Sequence, residues 1–285
     1  MTESSIIKVG ILGSGIMGAG LAEVAGRAGY EVVVRSRARS TADAMLALID
    51  RGLTKQVERG KLEDDERKTI LERITVTDHL GGLADCDLVI ESVVEDLAVK
   101  KDLFAELEQI VKPTGILASN TSTLPIVELA MQTQRPDKVC GVHFFNPAPM
   151  MKLVEIVRPL TASDETIDAV TAFAVACGKD AVQVADRAGF IVNALLFPYL
   201  NNAVRMWEQG TASKEDIDTA MKGGCNFPMG PFALLDLVGL DTSLAILDAL
   251  YAEFRDPNYA AVPTLRRMVA AGQLGRKSGR GFYSY

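Results

Sequence analysis

The segment Gly13-Ser14-Gly15-Ile16-Met17-Gly18 constrains the fold of this chain more than any other feature. It follows an apolar run at residues 6–12, which predicts a strand, and it opens a helical pattern at residues 16–28. Beyond it, short apolar runs alternate with helical patterns, which predicts a mostly parallel, doubly wound sheet and an α/β fold. The predicted strands are residues 6–12, 31–35, 74–77, 88–91, 116–119, 139–144, 153–158 and 180–185.

The pattern of the chain changes after about residue 186. Only helical patterns follow, separated by Gly and Pro breaks, and the first of them is long and apolar. We therefore predict two domains, an α/β domain over residues 1–186 and an all-α domain over residues 187–285. The helices predicted in the second domain are residues 190–209, 214–222, 234–237, 241–254 and 264–271.

The glycine segment matches the pattern G-x-G-x-x-G between a strand and a helix, which is the context of a dinucleotide site. Gly13 would allow the tight turn, Gly15 the approach of a pyrophosphate, and Gly18 close packing of helix against strand. The helix N-terminus then faces the phosphates. We predict cofactor contacts at Gly13, Gly15, Ile16, Met17 and Gly18. A glycine turn without a ligand is the structural alternative.

The end of the second predicted strand, Val34-Arg35-Ser36-Arg37, bears on which dinucleotide binds. An acidic residue there would bind the ribose 2′-hydroxyl of NAD, but the segment has no carboxylate. A small hydroxyl residue flanked by arginines suits a 2′-phosphate instead. Arg35, Ser36 and Arg37 therefore predict binding of NADP(H) in preference to NAD(H). In the alternative, the arginines form a solvated loop and NAD binds with its 2′-hydroxyl left to water.

His143, one of only two histidines, lies in an apolar run, and Glu155 lies in the next one. Burying an ionisable group in an apolar strand is costly unless the group is paired. Residues 147–151 have the composition of a hairpin loop, and pairing the flanking strands around it sets His143 directly opposite Glu155. A carboxylate there fixes the imidazole tautomer and stabilises its charged form. The pair predicts a general acid/base, with a structural ion pair as the alternative.

Composition excludes several classes of protein. The net charge of −7 argues against nucleic acid as a partner, and no apolar run reaches membrane-spanning length. Residues 1–5 lack the features of a signal peptide, and the four cysteines are widely spaced, so we expect a cytoplasmic protein with reduced thiols. Two histidines and scattered cysteines predict no metal site.

Further motifs occur in order along the chain, at residues 13–18, 119–122 (SNTS), 143–147 (HFFNP), 155 (Glu), 189–193 (GFIVN), 228–231 (PMGP) and 274–283 (LGRKSGRGFY). Together they resemble the 3-hydroxyacyl-CoA dehydrogenase family, over essentially the whole chain and at the family's spacing. Within it the chain looks most like the single-function bacterial 3-hydroxybutyryl-CoA dehydrogenases. The resemblance implies a Rossmann-type N-terminal domain and a helical C-terminal domain that pairs subunits, hence a homodimer.

The resemblance also implies an activity and the residues that carry it. The activity is the interconversion of 3-hydroxyacyl-CoA and 3-oxoacyl-CoA, with His143 as the acid/base and Glu155 as its partner. Ser122 and Asn193 would hydrogen-bond the C3 oxygen region of the substrate, and Asn146 would help to hold the same pocket. The remaining implied contacts are Glu95, Lys100 and Asn120 on the nicotinamide half of the cofactor, and Lys61 on coenzyme A.

The chain departs from the family's usual pattern at Ser36, where an acidic residue is common, and at Phe227, where histidine is common. The first departure puts plain NAD use in doubt, and the second predicts only local repacking. Arg51, Lys55 and Arg59 recur on one helical face and could meet the phosphates of coenzyme A or form a solvated surface. Two other functions remain open: a dehydrogenase of a free hydroxy acid or sugar acid, and a non-catalytic dinucleotide-binding protein.

Overall fold

The structure, a computed structural model, describes residues 6–285 and divides into two compact units. The first unit ends at Asp186 and the second comprises Arg187–Tyr285. Residues 1–5, on which the prediction about a signal peptide depends, lie outside the described residues. Within residues 6–285, no helix is both long and apolar enough to cross a membrane.

The first unit is built on one sheet of eight strands: β1 (Lys8–Leu12), β2 (Glu31–Arg35), β3 (Ile74–Thr77), β4 (Leu88–Glu91), β5 (Ile116–Ser119), β6 (Val139–Phe144), β7 (Leu153–Arg158) and β8 (Asp180–Ala185). The strand order is β3-β2-β1-β4-β5-β6-β7-β8, and every neighbouring pair is parallel except β6 and β7. The predicted doubly wound α/β fold is confirmed. The order reverses between β1 and β4, which places the ligand crevice outside the carboxyl ends of the strands.

The helices of this unit are α1 (Ile16–Arg27), α2 (Arg39–Glu58), α3 (Asp64–Glu72), α4 (Leu97–Ile110), α5 (Ile126–Ala130) and α6 (Asp164–Ala176). Helix α4 begins at Leu97 because Asp96 caps it: the Asp96 side chain accepts a hydrogen bond from the Val99 amide at 3.1 Å.

Strand β1 begins at Lys8, later than the predicted residue 6. The backbone amides of Ile7 and Lys8 donate to one carboxylate oxygen of Asp87, at 2.8 and 2.9 Å. Ile7 is 67% exposed whereas Ile6 is 4% exposed, so the chain ahead of Lys8 is held both by the Asp87 side chain and by burial of Ile6 in the core.

The central strands β4, β5 and β6 are buried along their whole length, as expected of strands covered by helices on both faces. Polar residues nevertheless occupy or approach their carboxyl ends: Glu91 ends β4, Ser119 ends β5, and His143 is the penultimate residue of β6. Because parallel strands end at one edge of a sheet, these groups share the edge that carries the glycine turn after β1.

The second unit is helical: α7 (Val192–Glu208), α8 (Lys214–Cys225), α9 (Pro231–Val238), α10 (Leu240–Phe254) and α11 (Pro263–Ala270). The all-α prediction is confirmed. Helix α9 starts earlier than the predicted residue 234 because Pro231 occupies its first turn, a position that proline favours. Trp207 packs edge-on against Phe232 and Phe282, with ring centroids 6.0 and 5.8 Å away, so it anchors the core of this unit.

Candidate active site

The turn from β1 into α1 needs its first and third glycines for packing. Gly13 has a φ of +122°, and a Cβ there would lie 2.3 Å from the backbone oxygen of Ser92. A Cβ on Gly18 would lie 2.0 Å from the backbone oxygen of Gly13. Neither position tolerates a side chain, so both glycines are required by the protein itself.

Gly15 is different, because a Cβ there would meet no protein atom within 4 Å. Gly15 is also the N-cap of α1, and no side chain caps that helix. Uncapped amides at a helix N-terminus and open space beside a glycine fit the approach of a pyrophosphate. Ile16 is 72% exposed beside this opening, and Met17 is half-buried. The residues present therefore fit a dinucleotide at the predicted place.

Ser36, at the end of β2, is buried and makes two side-chain hydrogen bonds. Its hydroxyl oxygen lies 2.7 Å from that of Ser14 in the glycine turn and 2.5 Å from that of Thr41 in α2. The flanking arginines differ in their surroundings: Arg37 is exposed, whereas the Nε of Arg35 is buried without a hydrogen-bond partner. The predicted selectivity residues thus sit together beside the glycine turn.

A buried ionic cluster lies at the ends of β4 and β5. Glu91 and Lys100 are 0% and 1% exposed, and Lys100 Nζ lies 2.6 Å from Glu91 Oε1. Glu91 also accepts hydrogen bonds of 2.6 Å from the Ser119 hydroxyl and from the Val93 amide. Because each partner donates to the carboxylate, the buried charge of Glu91 is compensated on several sides. Glu91 therefore connects the end of β5 with the predicted cofactor residue Lys100.

Glu95 joins this cluster to the turn after β5. One of its carboxylate oxygens lies 3.3 Å from Lys100 Nζ. The other accepts hydrogen bonds from the Thr121 hydroxyl and, at 3.0 Å, from the Ser122 amide. The structure thus brings together Glu95 and Lys100, predicted on the cofactor, and Ser122, predicted on the substrate.

Asn120 connects the same turn to the strand that carries His143. Its side-chain oxygen accepts a 2.8 Å hydrogen bond from the backbone amide of Phe144, the residue after His143. Its backbone amide donates to the backbone oxygen of Glu91 at 2.8 Å. Asn120, predicted on the cofactor, therefore also fixes the end of β6.

His143 and Glu155 are paired residues of the antiparallel strands β6 and β7, as the hairpin prediction requires. His143 Nδ1 lies 2.7 Å from Glu155 Oε2, and the two side chains are 8% and 1% exposed. The Phe145 ring packs against the imidazole with a centroid distance of 4.5 Å. The carboxylate is placed to accept a proton held at Nδ1, which directs the other ring nitrogen, Nε2, to proton exchange.

The loop between β6 and β7 spans residues 145–152, longer than the predicted 147–151, although the strand register is the predicted one. Buried Lys179 holds this loop by donating to the backbone oxygens of Ala148 and Met151, at 2.6 and 2.8 Å. Burial lowers the pKa of Lys179 below its usual value. Asn146, predicted at the substrate pocket, is an exposed residue of the same loop.

The remaining predicted residues belong to other elements of the chain. Asn193 is in the first turn of α7, in the second unit. Lys61 is exposed in the connection between α2 and α3, and Arg51 and Lys55 are exposed on α2. Arg59 lies just beyond the end of α2, so the predicted basic face extends past the helix. Among residues 6–285, no group of three His, Cys, Asp or Glu side chains is arranged to hold a metal ion.

Sequence profiles of one family match almost the whole chain. Residues 8–187 match the NAD binding domain of 3-hydroxyacyl-CoA dehydrogenase, and residues 189–285 match its C-terminal domain. The chain belongs to the 3-hydroxyacyl-CoA dehydrogenase family. Its first unit is therefore a nicotinamide-dinucleotide domain, and the family resemblance drawn from the motifs is confirmed.

Individual relatives within the 3-hydroxyacyl-CoA dehydrogenase family are similar over their full length. A 3-hydroxybutyryl-CoA dehydrogenase of Mycobacterium tuberculosis (strain CDC 1551 / Oshkosh) is 49% identical over 285 residues, covering 99% of this chain and 100% of the relative. One of Clostridioides difficile is 47% identical over 279 residues, covering 98% and 99%. The crystal structure of (S)-3-hydroxybutyryl-CoA dehydrogenase PaaH1 from Ralstonia eutropha has a TM-score of 0.96 at 42% identity, covering 99% of each chain.

Sequence reasoning missed three polar residues of this 3-hydroxyacyl-CoA dehydrogenase site: Glu91, Thr121 and Lys179. Glu91 carries a signal that would have found it, because a carboxylate closes an otherwise apolar strand. Thr121 and Lys179 carry no such signal, since their partners lie 26 and about 30 residues away along the chain. Phe227, the family departure in the second unit, packs edge-on against Tyr199 with ring centroids 5.7 Å apart.

Proposed function

We propose that this protein interconverts 3-hydroxybutyryl-CoA and acetoacetyl-CoA by hydride transfer with a nicotinamide cofactor, NADP(H) in preference to NAD(H). The observation that carries the proposal is the buried His143–Glu155 pair at the sheet edge that also bears the glycine turn. A dinucleotide-binding protein without catalysis has no need of an acid/base at that edge. The names of the full-length relatives support the choice of a hydroxybutyryl-CoA substrate.

The order of the strands in the sheet supports one orientation of the bound cofactor along the carboxyl ends of the strands. Its adenosine half belongs beside β1 and β2, where the glycine turn and Ser36 are, and its nicotinamide half belongs beyond β4 and β5. Strand β6 follows β5 in the sheet, so His143 is next to the proposed nicotinamide position. When bound, the nicotinamide supplies or accepts the hydride.

The protein's own part in the reaction is proton exchange and charge stabilisation. In the oxidative direction His143 takes the proton of the 3-hydroxyl through Nε2, and in reduction it returns a proton to the forming alkoxide. Glu155 keeps Nδ1 protonated and stabilises the imidazolium. Ser122 donates to the C3 oxygen, where negative charge develops, and Asn193 is proposed as a substrate residue from its match to the family motif alone.

The surroundings of Ser36 support NADP(H). Residues 35–40, at the end of β2 and after it, contain no carboxylate, so this segment brings no negative side chain to a 2′-phosphate. The guanidinium groups of half-buried Arg35 and exposed Arg37 supply positive charge beside Ser36. Helix α2 begins next to Ser36, and its N-cap, Ala38, offers no side-chain cap. The open N-terminus of this helix favours an anion in addition to the arginines.

Coenzyme A contacts are proposed on the exposed cations at the end of α2 and after it. Arg51, Lys55, Arg59 and Lys61 are all exposed, and Asp50 beside them is neutralised by Arg67. Exposed Glu58 and Glu63 lie beside them along the chain, so the four cations are proposed as direct contacts of the phosphates of coenzyme A and not as a region of net positive charge.

A cytoplasmic homodimer is part of the same proposal. Leu195 and Met206 are 72% and 44% exposed on α7, although both are large apolar residues. Apolar side chains left exposed along one long helix suit contact with a second copy of the chain. Light scattering coupled to size exclusion tests this, and a monomeric mass at micromolar concentration would contradict it.

The enzyme assay follows absorbance at 340 nm with acetoacetyl-CoA, once with NADPH and once with NADH. We expect turnover with both cofactors and a higher kcat/KM with NADPH. Reduction of acetoacetate but not of its CoA thioester would instead favour a dehydrogenase of free hydroxy acids. Cofactor binding without turnover of either substrate would favour a non-catalytic protein. A clear preference for NADH would overturn the NADP(H) assignment alone.

A further inference from the structure

Three hydroxyl groups form a chain at the proposed adenosine end of the cofactor site. Ser14 in the glycine turn contacts Ser36 at 2.7 Å, and Ser36 contacts Thr41 at 2.5 Å. Thr41 in turn donates to the backbone oxygen of Ala38 at 2.8 Å. The chain thus runs from the glycine turn, across the end of β2, to the first turn of α2.

The last contact fixes the direction of the others. A hydroxyl has one hydrogen and can donate only once, whereas a carbonyl oxygen can only accept. Because Thr41 gives its hydrogen to Ala38, the short contact between Thr41 and Ser36 requires that Ser36 donates. Ser36 has then no hydrogen left, so Ser14 must donate to Ser36. All the hydroxyl hydrogens point inward, towards α2.

We infer that Thr41 is a specificity-determining residue, because it sets whether the hydroxyls at the ribose position act as acceptors or donors. With every hydrogen directed towards Ala38, Ser14 and Ser36 present only oxygen lone pairs to a ligand. Lone pairs accept from a ribose 2′-hydroxyl, which partly replaces the missing carboxylate and retains use of NAD(H). A 2′-phosphate only accepts hydrogen bonds, so it must turn one of these hydroxyls outward. The inference rests on the proposed nicotinamide-dinucleotide site and predicts that Thr41 limits the preference for NADP(H).

Replacing the Thr41 hydroxyl by a methyl group removes the contact that fixes the direction of hydrogen-bond donation among the three hydroxyls. In a Thr41→Val variant, Ser36 has no acceptor in α2 and can donate to Ser14 or to the ligand. Either way one hydroxyl hydrogen becomes available to a phosphate. Since one hydrogen bond of this kind changes affinity modestly, we expect the ratio of NADPH to NADH affinity to rise about threefold to tenfold. Thr41→Ser keeps the hydroxyl and should keep the wild-type ratio.

The experiment measures binding without catalysis. Isothermal titration of the full-length protein compares NADPH with NADH, and adenosine 2′,5′-bisphosphate with AMP, for the wild type and for the Thr41→Val and Thr41→Ser variants. Both ratios should rise in Thr41→Val and stay unchanged in Thr41→Ser. Because Thr41 is exposed, the valine variant should fold, and its melting temperature serves as the control.

A double-mutant cycle separates this role from a structural one. In a Ser36→Ala background the hydroxyl chain is already broken, so Thr41→Val should no longer change the ratio. A change of equal size in both backgrounds, or an unchanged or lower ratio in Thr41→Val alone, would overturn the inference. A wild-type preference for NADH combined with the expected shift in Thr41→Val would overturn the NADP(H) proposal and support the role of Thr41. Absence of binding of every nucleotide would overturn both.

Discussion

His143 and Glu155 face each other across an antiparallel strand pair, with Nδ1 of the imidazole 2.7 Å from Oε2 of the carboxylate. Both side chains are buried at the carboxyl end of the sheet's central strands. A buried carboxylate needs a donor, and an acid/base imidazole needs a defined tautomer. One contact meets both requirements, which is why a structural pair and a catalytic pair have the same geometry here.

Changing His143 to glutamine tests the catalytic side of this pair. Glutamine keeps an amide donor for Glu155 but cannot exchange a proton, so kcat should fall about 10²–10⁴-fold. Cofactor binding, measured by fluorescence titration, should stay within about twofold of the wild type. His79→Gln is the matched control, because His79 is the other histidine and is exposed. Near-normal turnover of His143→Gln would remove His143 from the mechanism.

Changing Ser36 to aspartate tests the cofactor assignment. The carboxylate would accept from a 2′-hydroxyl and repel a 2′-phosphate, and a like-charge contact of this kind costs several kcal/mol. We expect the ratio of kcat/KM for NADPH to that for NADH to fall about 10²-fold in the 340 nm assay. Ser40→Asp, an exposed position on α2, adds the same charge nearby and should change the ratio far less. Equal effects at both positions would point to long-range charge instead of a contact.

Removing one charge of the buried Glu91–Lys100 pair should lower the unfolding free energy of the first unit more than removing an exposed charge does. Glu91→Gln leaves Lys100 in a site that is 1% exposed without its principal counter-charge, which typically costs about 3–5 kcal/mol of unfolding free energy. Lys100→Met should cost a similar amount. The double variant removes both charges, so its loss should be smaller than the sum. Urea denaturation measures all three, and additive losses would contradict coupling.

The sequence predicted the register of His143 and Glu155 because the two residues are equally far from Pro149, the centre of the predicted hairpin loop at residues 147–151. The ionic cluster could not be predicted in the same way. Glu91 and Lys100 belong to a strand and a helix joined by a loop, and no periodicity relates their side chains. The contact between Ser14 and Ser36 likewise joins residues 22 positions apart, because β1 and β2 pair as parallel neighbours in the sheet. Contacts of this kind follow from the assembled sheet and not from any local pattern.

Lys61 provides a test of the coenzyme A surface. Lys61→Ala should raise KM for acetoacetyl-CoA about threefold to tenfold, because an exposed cation on a phosphate contributes modestly, and leave KM for the cofactor unchanged. The effect should shrink as salt is raised to 0.5 M. Lys68→Ala is the control, since Lys68 is also exposed but already pairs with Asp64 at 2.8 Å. Equal effects of the two changes would remove Lys61 from the substrate site.

Because the thiol of Cys140 is buried, we expect the unfolding free energy of the protein to decrease measurably at alkaline pH. Burial raises the pKa of Cys140 from 9.0 to about 12, so the thiol stays protonated in the folded chain while the unfolded chain ionises above about pH 9. The folded state binds more protons in this window, so the unfolding free energy falls as pH rises from 9 towards 12. In Cys140→Ala this contribution is absent. The unfolding free energy of the variant should be lower at pH 7 but should fall less steeply with pH, because one proton fewer is released on unfolding. Denaturation curves at pH 7.5, 9 and 10 measure the difference. Parallel pH profiles of the two proteins would show that the Cys140 thiol ionises equally in both states.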